Sequence, residues 1–216
     1  MARFSRSIFP FAVFLMASAA HGATVNVSAS VWGVAQDAGR NGSFDSLSST
    51  TNIFIQRVPN GDFFERALWE FDLSELPTGT ILGIELTLVV NSTTLERDPY
   101  DVYGYAGNGI IEVADATAGS VLATGLNGDL SISTFDVTAF IFNASVQAAG
   151  FAGFIARYPN ELAGGAQKNW LDPDDNFGIG SPWLVVEFTP VPIPASVWLF
   201  GSALGLLGWM RRRKAV

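Results

Sequence analysis

Apolar and polar residues alternate in several short segments of the middle of the chain. Three clear cases are residues 24–31, 64–71 and 84–90, and a period of two residues is typical of a half-buried β-strand. The residues predicted to share an inward face are Val25, Val27, Ala29 and Val31 in the first segment, Ala67, Trp69 and Phe71 in the second, and Ile84, Leu86, Leu88 and Val90 in the third. Leu68 and Glu70 are predicted to lie on the opposite face.

Shorter patterns predict more strands, separated by turns. Further strands are predicted at residues 52–56, 100–106, 131–137, 151–158 and 183–189. Turn signals are the Asn60-Gly61 pair and Leu76-Pro77-Thr78-Gly79. The spacing predicts one helix at residues 138–149, with Thr138 as its N-cap and Gly150 as its C-cap. We therefore expect an all-β, jelly-roll-type antiparallel β-sandwich with one short helix and a long irregular loop at residues 160–182.

The first 22 residues have the three parts of a secretory signal peptide. Arg3 and Arg6 form a short positive region, residues 8–16 form an apolar stretch, and residues 17–20 supply small side chains for a signal peptidase. The alternative is a buried helix at the start of a globular domain. The order of the three parts favours export, with cleavage after Ala20 or Gly22.

The last 26 residues have a second targeting pattern. Residues 195–210 carry no charge and are followed at once by Arg211, Arg212, Arg213 and Lys214. Sixteen helical residues span about 24 Å, slightly less than the roughly 30 Å hydrocarbon core of a bilayer. The sequence thus predicts a signal peptide at 1–22, a β-sandwich domain at 23–190, and a transmembrane sorting segment at 191–216, for which a plain tail anchor is the alternative.

Composition narrows the chemistry of the middle domain. The chain of 216 residues has 12 Lys and Arg, 20 Asp and Glu, one His and no Cys. Residues 24–190 hold all 20 acidic side chains but only six of the basic ones, a formal net charge of −14, which disfavours nucleic-acid binding. Without Cys there is no disulfide and no thiolate site, and because His21 falls in the predicted signal peptide, a Ser-His-Asp triad is excluded.

Two acidic clusters are candidate cation sites. Asp172, Asp174 and Asp175 lie within four residues, and hard oxygen ligands of this kind suit Ca²⁺. Glu96, Asp98 and Asp101 form a second, similar group. Because both lack the Gly and the distal Glu of an EF-hand loop, a solvated acidic turn is the favoured interpretation of each.

Aromatic residues near predicted strand ends are candidates for stacking on a sugar ring. The ligand-binding candidates are Trp170, Tyr158 and Trp32, and Tyr103 and Tyr105 share the same setting. Core packing is the alternative for all of them, since it accounts for most Trp and Tyr in a sandwich. Trp69 and Trp183 are assigned to the core. Trp170 is the strongest binding candidate because it lies in the long loop beside the acidic run.

The C-terminal segment resembles a PEP-CTERM protein-sorting signal. The resemblance covers about 26 residues: Val191, Pro192, Pro194 and Ala195, then a short helix containing Trp198, then the Arg211–Arg213 cluster. Ile193 stands where that family has Glu. The resemblance implies export across the inner membrane, transient anchoring there, and cleavage by an exosortase, a membrane-bound cysteine protease. Two prolines keep the segment extended, as a protease cleft requires.

The middle of the chain resembles DNRLRE-type domains. The motifs are Arg66-Ala67-Leu68-Trp69-Glu70-Phe71-Asp72-Leu73-Ser74, then Leu76-Pro77-x-Gly79 with strand 84–90, then residues 135–138, 150–154 and 183–188. The resemblance implies a β-sandwich carbohydrate-binding module of a bacterial or archaeal surface protein and carries over no catalytic residue. We therefore expect an exported, non-catalytic, polysaccharide-associated protein. The alternatives are a secreted glycan hydrolase or lyase and a purely structural matrix protein.

Overall fold

A computed structural model of the full chain describes residues 22–48, 53–58, 63–93, 98–128, 131–161, 167–171, 182–191, 196 and 200–205. The chain divides into two compact units, one of residues Gly22–Pro190 and one that comprises the terminal segments Met1–His21 and Val191–Val216. In the second unit, Ser196 and residues 200–205 are helical. No helix within the described ranges has the length and apolar character needed to cross a bilayer.

The unit Gly22–Pro190 is an all-β, antiparallel structure. Its strands are β1 (Ala23–Ser28), β2 (Val31–Asp37), β3 (Ser46–Ser48), β4 (Ile53–Val58), β5 (Phe63–Asp72), β6 (Gly79–Thr93), β7 (Tyr100–Gly107), β8 (Ser120–Leu126), β9 (Ser131–Asp136), β10 (Phe151–Arg157), β11 (Gln167–Leu171) and β12 (Trp183–Pro190). Two 3₁₀ turns, Leu73–Glu75 and Val113–Thr117, and two short helices, α1 (Thr138–Ile141) and α2 (Ala144–Ala149), complete it.

The strands form two layers that are joined at one end. One layer runs β3-β2-β5-β10-β7-β8 and the other runs β1-β12-β6-β9, so the first and last strands of the unit are neighbours. The joint is made by β4, which pairs with β5, and β11, which pairs with both β4 and β6. The result is the β-sandwich-like, all-β fold that the alternation predicts.

The main core lies between the two layers. Its largest members on β5 are Trp69 and Phe71, which are completely buried. Leu86 and Leu88 face them from β6 and are buried to the same degree. The inward faces predicted for residues 64–71 and 84–90 are therefore confirmed.

A second, smaller core covers the outer face of the β2–β5–β10–β7 layer. Leu68 and Ile155 on that face are buried, although alternation predicts that Leu68 points away from the main core. They are covered by Phe44 and by the segment between β7 and β8, which contributes Ala116 and the half-buried Val113. Strand β5 is consequently buried on both faces, and even its charged residues Arg66 and Glu70 are buried.

The predicted helix at 138–149 is in fact two helices. Helix α1 ends at Ile141, with Phe142 as its C-cap. Asn143 then takes an extended conformation and caps α2 with its side chain, which accepts a hydrogen bond from the Ser145 N–H at 3.0 Å. Thr138 is the first residue of α1 and not its N-cap, which is Val137. Gly150 is the C-cap, in the left-handed conformation with φ of 79°, as predicted.

Other strand boundaries also differ from the prediction. Residues 24–31 are not one strand, because the chain leaves β1 after Ser28 and begins β2 at Val31. Val25 and Val27 do lie opposite the buried Val186 and Leu184, yet Val25 is 37% exposed because β1 is an edge strand. The region 160–182 is not wholly irregular, since it contains β11. The alternation did not predict β3, β8 or residues 32–37 of β2.

Candidate functional site

A cleft of about 430 Å³ opens between β7, the segment that precedes β8, and the two helices. Its lining from β7 is Gly104, Tyr105 and Ala106, and its lining from the helices is Phe140, Asn143, Ser145 and Val146. The remaining wall is formed by Asp115, Ala118, Gly119 and Ser120. We refer to it as the β7–α2 cleft. Its volume lies within the range of small-molecule sites, roughly 300–1,000 Å³.

Two glycines allow the walls of the β7–α2 cleft to approach each other. A Cβ on Gly104 would lie 2.7 Å from the Phe140 ring, so only glycine leaves room for that ring beside β7. Gly119 has φ of 81°, and a Cβ there would lie 2.2 Å from the Gly104 carbonyl oxygen. Glycine at both positions therefore brings the segment before β8 and helix α1 against the same strand.

Phe140 supplies the aromatic wall of the cleft. It is half-buried, and its ring packs edge-to-face on Phe154, with 5.3 Å between centroids. Phe154 is itself fully buried and packs in the same way on Phe71. The ring of Phe140 is thus held by the main core at one side while it lines the cleft.

Asn143 and Ser145 supply polar groups at the start of α2. The Asn143 Oδ1 accepts hydrogen bonds from the Ser145 N–H at 3.0 Å and from the Ser145 hydroxyl at 2.7 Å. These bonds fix both side chains as part of the helix cap. Asn143 is exposed, and its Nδ2 donates to no group in the described part of the chain, so it can donate to a ligand.

Asp115 is the acidic group of the cleft. Its Oδ2 accepts a hydrogen bond from the Glu112 N–H at 2.7 Å, which fixes the carboxylate at the start of the 3₁₀ turn Val113–Thr117. Partial burial raises the pKa of the Asp115 carboxyl, and the negative charge of Glu112 raises it further, while the hydrogen bond from the Glu112 backbone opposes both effects.

Glu70 lies behind the cleft and does not line it. Its side chain is completely buried, and its Oε2 accepts hydrogen bonds from the Gly109 N–H at 2.6 Å and the Asn108 N–H at 3.1 Å. A Cβ on Gly107 would lie 2.5 Å from this carboxyl group, so glycine is required there too. Glu70 therefore anchors the β7–β8 segment to β5. Burial raises the pKa of the Glu70 carboxyl in spite of these hydrogen bonds.

Tyr105 separates Glu70 from the cleft. It is 5% exposed, and Gly153 leaves room for its ring, since a Cβ there would lie 2.3 Å from the ring. Burial raises the pKa of the Tyr105 hydroxyl, and the neighbouring carboxylates of Glu70 and Asp115 raise it further. At neutral pH the hydroxyl is consequently protonated and is not available as a base.

No Lys or Arg is among the residues that line the described cleft. Arg66 of β5 contacts the segment that forms this wall, since its guanidinium donates to the Ala116 carbonyl oxygen. That guanidinium also donates to both carboxylate oxygens of Glu161, at 2.7 and 2.6 Å. Its charge is therefore already compensated, and the lining of the cleft is acidic.

A second groove lies on the outer face of the β1-β12-β6-β9 layer. Its polar lining includes Thr24, Glu85, Asp136 and Glu187, and cross-strand register places Glu85 between Val185 and Asp136. Three of these side chains are carboxylates on a solvent-facing sheet. Such a surface is ordinary for an antiparallel layer, so the β7–α2 cleft is the better candidate site.

The described side chains among the predicted ligand-binding aromatics, Tyr158 and Trp32, both pack against the main core. Tyr158 is 2% exposed and its hydroxyl donates to the Ile55 carbonyl oxygen at 3.4 Å, so it belongs to the core. Trp32 is half-buried against the main core, opposite Trp69. Trp170 lies in β11, and its side chain is outside the described part of the structure. Of the two tryptophans assigned to the core, Trp69 is fully buried and Trp183 is half-buried.

The acidic candidates have different outcomes. Asp172, Asp174 and Asp175 lie outside the described residues, and within those residues no group of three Asp, Glu or His side chains is arranged to hold a metal ion. In the second cluster, Asp98 pairs with Arg57 at 3.1 Å and Asp101 accepts the Gly125 N–H at 2.9 Å. Glu96 is outside the described residues.

The sorting motif lies mostly outside the described residues. Val191 is described and is 67% exposed, whereas Pro192, Pro194, Ala195 and Arg211–Arg213 are not described.

Sequence reasoning did not identify Asp115, Phe140, Asn143 and Ser145 as site residues. The sequence of β7 does indicate where the cleft lies, because Gly104 is within this strand and Gly107 ends it. A glycine within a strand often marks close approach by another segment. The pattern of apolar residues at 138–149 conceals the cap at Asn143, because a continuous helix fits it equally well.

No protein-family model matches the chain, and no curated protein matches it. These comparisons therefore identify neither a PEP-CTERM signal nor a DNRLRE-type domain.

Proposed function

We propose that this chain is an exported, non-catalytic protein that associates with polysaccharide at the cell surface or in the extracellular matrix. The observation that carries the proposal is the β7–α2 cleft, a solvent-open space whose lining includes Phe140, Asp115, Asn143, Ser120 and Ser145. Sugars present hydroxyl groups that pair with such polar side chains and C–H faces that pack on aromatic rings. The unit that holds the cleft is all-β.

Two features support binding without turnover. Glycoside hydrolysis uses two carboxylates across the scissile bond, roughly 5–9.5 Å apart. Asp115 is the one carboxylate among the residues that line the described cleft, since Glu70 is sealed behind Tyr105 and the β7–β8 segment. A lyase that used Tyr105 as a base would need its phenolate, which the raised pKa disfavours.

The proposal includes the finer fold class and the processing of both ends. Adjacency of the first and last strands supports a jelly-roll-type sandwich. The pattern of residues 1–22 supports cleavage by a signal peptidase, and the Pro motif, apolar segment and Arg cluster of residues 191–216 support transient inner-membrane anchoring and cleavage by an exosortase.

The test is a glycan array together with a turnover assay on the full chain. The chain is purified in a detergent without a sugar headgroup, because a maltoside would compete for the site. Binding without release of new reducing ends or unsaturated products is the expected result. Turnover of a bound glycan would replace the proposal with a hydrolase or lyase. Failure to bind or cleave any glycan would replace it with a purely structural matrix protein.

A further inference from the structure

We infer that the β7–α2 cleft binds a neutral sugar unit and excludes acidic sugars such as uronic acids. This inference rests on the proposed function and assigns the ligand class and the contacts within it. The distribution of hydrogen-bonding groups, aromatic surface and charge around the cleft supports it.

The hydrogen-bonding groups complement sugar hydroxyls. The Asp115 carboxylate is fixed by the Glu112 N–H through Oδ2, and its oxygens accept from hydroxyl groups. The Asn143 amide, fixed through Oδ1 by Ser145, presents Nδ2 as a donor. The cleft lining thus offers both an acceptor and a donor to sugar hydroxyls, and each bond to the carboxylate is charge-assisted.

The aromatic wall complements the apolar side of a sugar ring. Phe140 is held against Phe154 with 5.3 Å between centroids, and Val146 lies beside it in the lining. The volume of about 430 Å³ is at the lower end of the usual range for ligand sites. The cleft therefore suits the end of a glycan chain or a short side branch.

The charges explain the exclusion of acidic sugars. Asp115 lines the cleft, Glu112 adjoins it, and no Lys or Arg contributes to the described lining. Arg66, which contacts this wall at the Ala116 carbonyl oxygen, already makes a two-bond ion pair with Glu161 at 2.7 and 2.6 Å. A ligand carboxylate would be desolvated beside two negative charges without a compensating cation, which is unfavourable.

The experiment measures binding to the full chain by titration calorimetry. The neutral probes are cellotetraose and N,N′,N″,N‴-tetraacetylchitotetraose, and the acidic probe is tetragalacturonate. Asp115→Asn keeps the shape and the acceptor for Glu112, whereas Phe140→Leu removes the ring. The matched controls are Glu75→Gln, at an exposed position outside the cleft, and Phe142→Leu, since Phe142 is 49% exposed and does not line it. Melting temperatures measured in parallel establish that each variant is folded.

We expect at least one neutral probe to bind and the acidic probe not to bind. Asp115→Asn and Phe140→Leu should each weaken neutral binding about ten-fold, the loss of roughly one good contact, while both controls leave it unchanged. Tighter binding of tetragalacturonate than of the neutral probes would overturn the inference and leave the proposed function intact. Neutral binding that is insensitive to both cleft variants would overturn the cleft as the site. Absence of binding to every glycan would overturn the proposed function together with the inference.

Discussion

Gly153 occupies a position in β10 where the fold has no room for a side chain. It lies opposite Tyr105 in the β10–β7 ladder, and a Cβ built on it would lie 2.3–2.5 Å from three atoms of the Tyr105 ring. Tyr105 is only 5% exposed, so neighbouring groups enclose its ring. We expect Gly153→Ala to reduce the free energy of unfolding by about 1–3 kcal/mol, the usual cost of overpacking, as measured by urea unfolding.

Gly83 provides the matched control for that substitution. It also lies within a strand, β6, but nothing lies within 4 Å of a Cβ built there and its φ is not in the left-handed region. Gly83→Ala should leave stability unchanged or raise it by about 0.4–1 kcal/mol, because alanine restricts the unfolded chain. Equal losses in the two variants would contradict the assigned role of Gly153.

Glu70 should make the stability of this protein depend on pH in an identifiable direction. Its pKa in the folded state is raised above the value of the unfolded chain, chiefly by burial. The folded state therefore binds the proton more tightly than the unfolded state. The stabilisation that this carboxyl contributes to folding is complete below the unfolded pKa and is lost as pH rises through the folded pKa. Glu70→Gln removes that titration and keeps an oxygen that can accept from Gly109. The variant should consequently gain stability relative to wild type as pH increases above about 4.5.

Urea unfolding of wild type and Glu70→Gln at intervals between pH 4 and pH 8 measures this difference. Asp72 and Asp136 have lowered pKa values, but both are present in both proteins and cancel from the comparison. The negative charge of Asp115 contributes to the raised pKa of Glu70, so the loss of this repulsion in Glu70→Gln is part of the measured difference and has the same sign. Glu75→Gln controls for the loss of one negative charge. A difference that is constant, or that favours wild type as pH rises, would show that Glu70 does not titrate as its burial requires.

Three arginines fix the segment that follows β10. Arg66 donates to both oxygens of Glu161, Arg40 donates to the Glu161 carbonyl oxygen at 3.1 Å, and Arg57 donates to the Asn160 carbonyl oxygen at 2.6 Å. The Arg66 guanidinium also lies 4.5 Å from the centroid of the Phe44 ring. This one side chain thus connects β5, the segment before β8 and the segment after β10, which no local pattern of residues 63–72 indicates.

The two ion pairs of these arginines should differ in their contribution to stability. The Glu161 side chain is 11% exposed, whereas the Asp98 side chain that pairs with Arg57 is 46% exposed. Glu161→Gln leaves a buried guanidinium without its charged partner and should lower the free energy of unfolding by about 1.5–3 kcal/mol. Asp98→Asn should lower it by less than about 1 kcal/mol, since solvent already screens that pair. Urea unfolding measures the loss in free energy of unfolding for each variant. Equal losses would contradict the argument from burial.

Elements with their own strong pattern were predictable, and elements defined by distant contacts were not. The core faces of β5 and β6 follow from alternation because each strand is long and central. Strand β8 was not predicted, because it is an exposed edge strand with few buried side chains and its sequence need not alternate. Likewise, the cleft residues come from three separated segments that only the pairing of β7 with β8 and β10 brings together. Local propensity contains no information about that pairing.

At the scale of the whole molecule, charge and hydrophobicity are segregated along the chain. All 20 acidic side chains lie between residues 24 and 190, while four of the 12 basic ones are clustered at 211–214 after an uncharged segment. An acidic unit and a short apolar segment with a basic end are consistent with the proposed export, because positive residues remain on the cytoplasmic side of a membrane. The acidic unit should also repel anionic polymers, in agreement with the inferred preference for neutral sugars.

The proposed processing predicts the mass of the mature protein. The chain that reaches the cell surface should begin near residues 21–23 and end within or close to residues 191–195, so that both targeting segments are missing. Intact mass spectrometry of the surface or secreted fraction measures both ends at once.

Deleting the exosortase of the host should yield a species that has lost the N-terminal segment but retains residues 196–216 in the membrane fraction. Replacing Pro192 and Pro194 with Ala should slow C-terminal cleavage without affecting the N-terminus, because the segment would lose its fixed extended conformation. A surface species that retains Trp198–Lys214 in a host with an active exosortase would contradict the sorting proposal and favour a plain tail anchor.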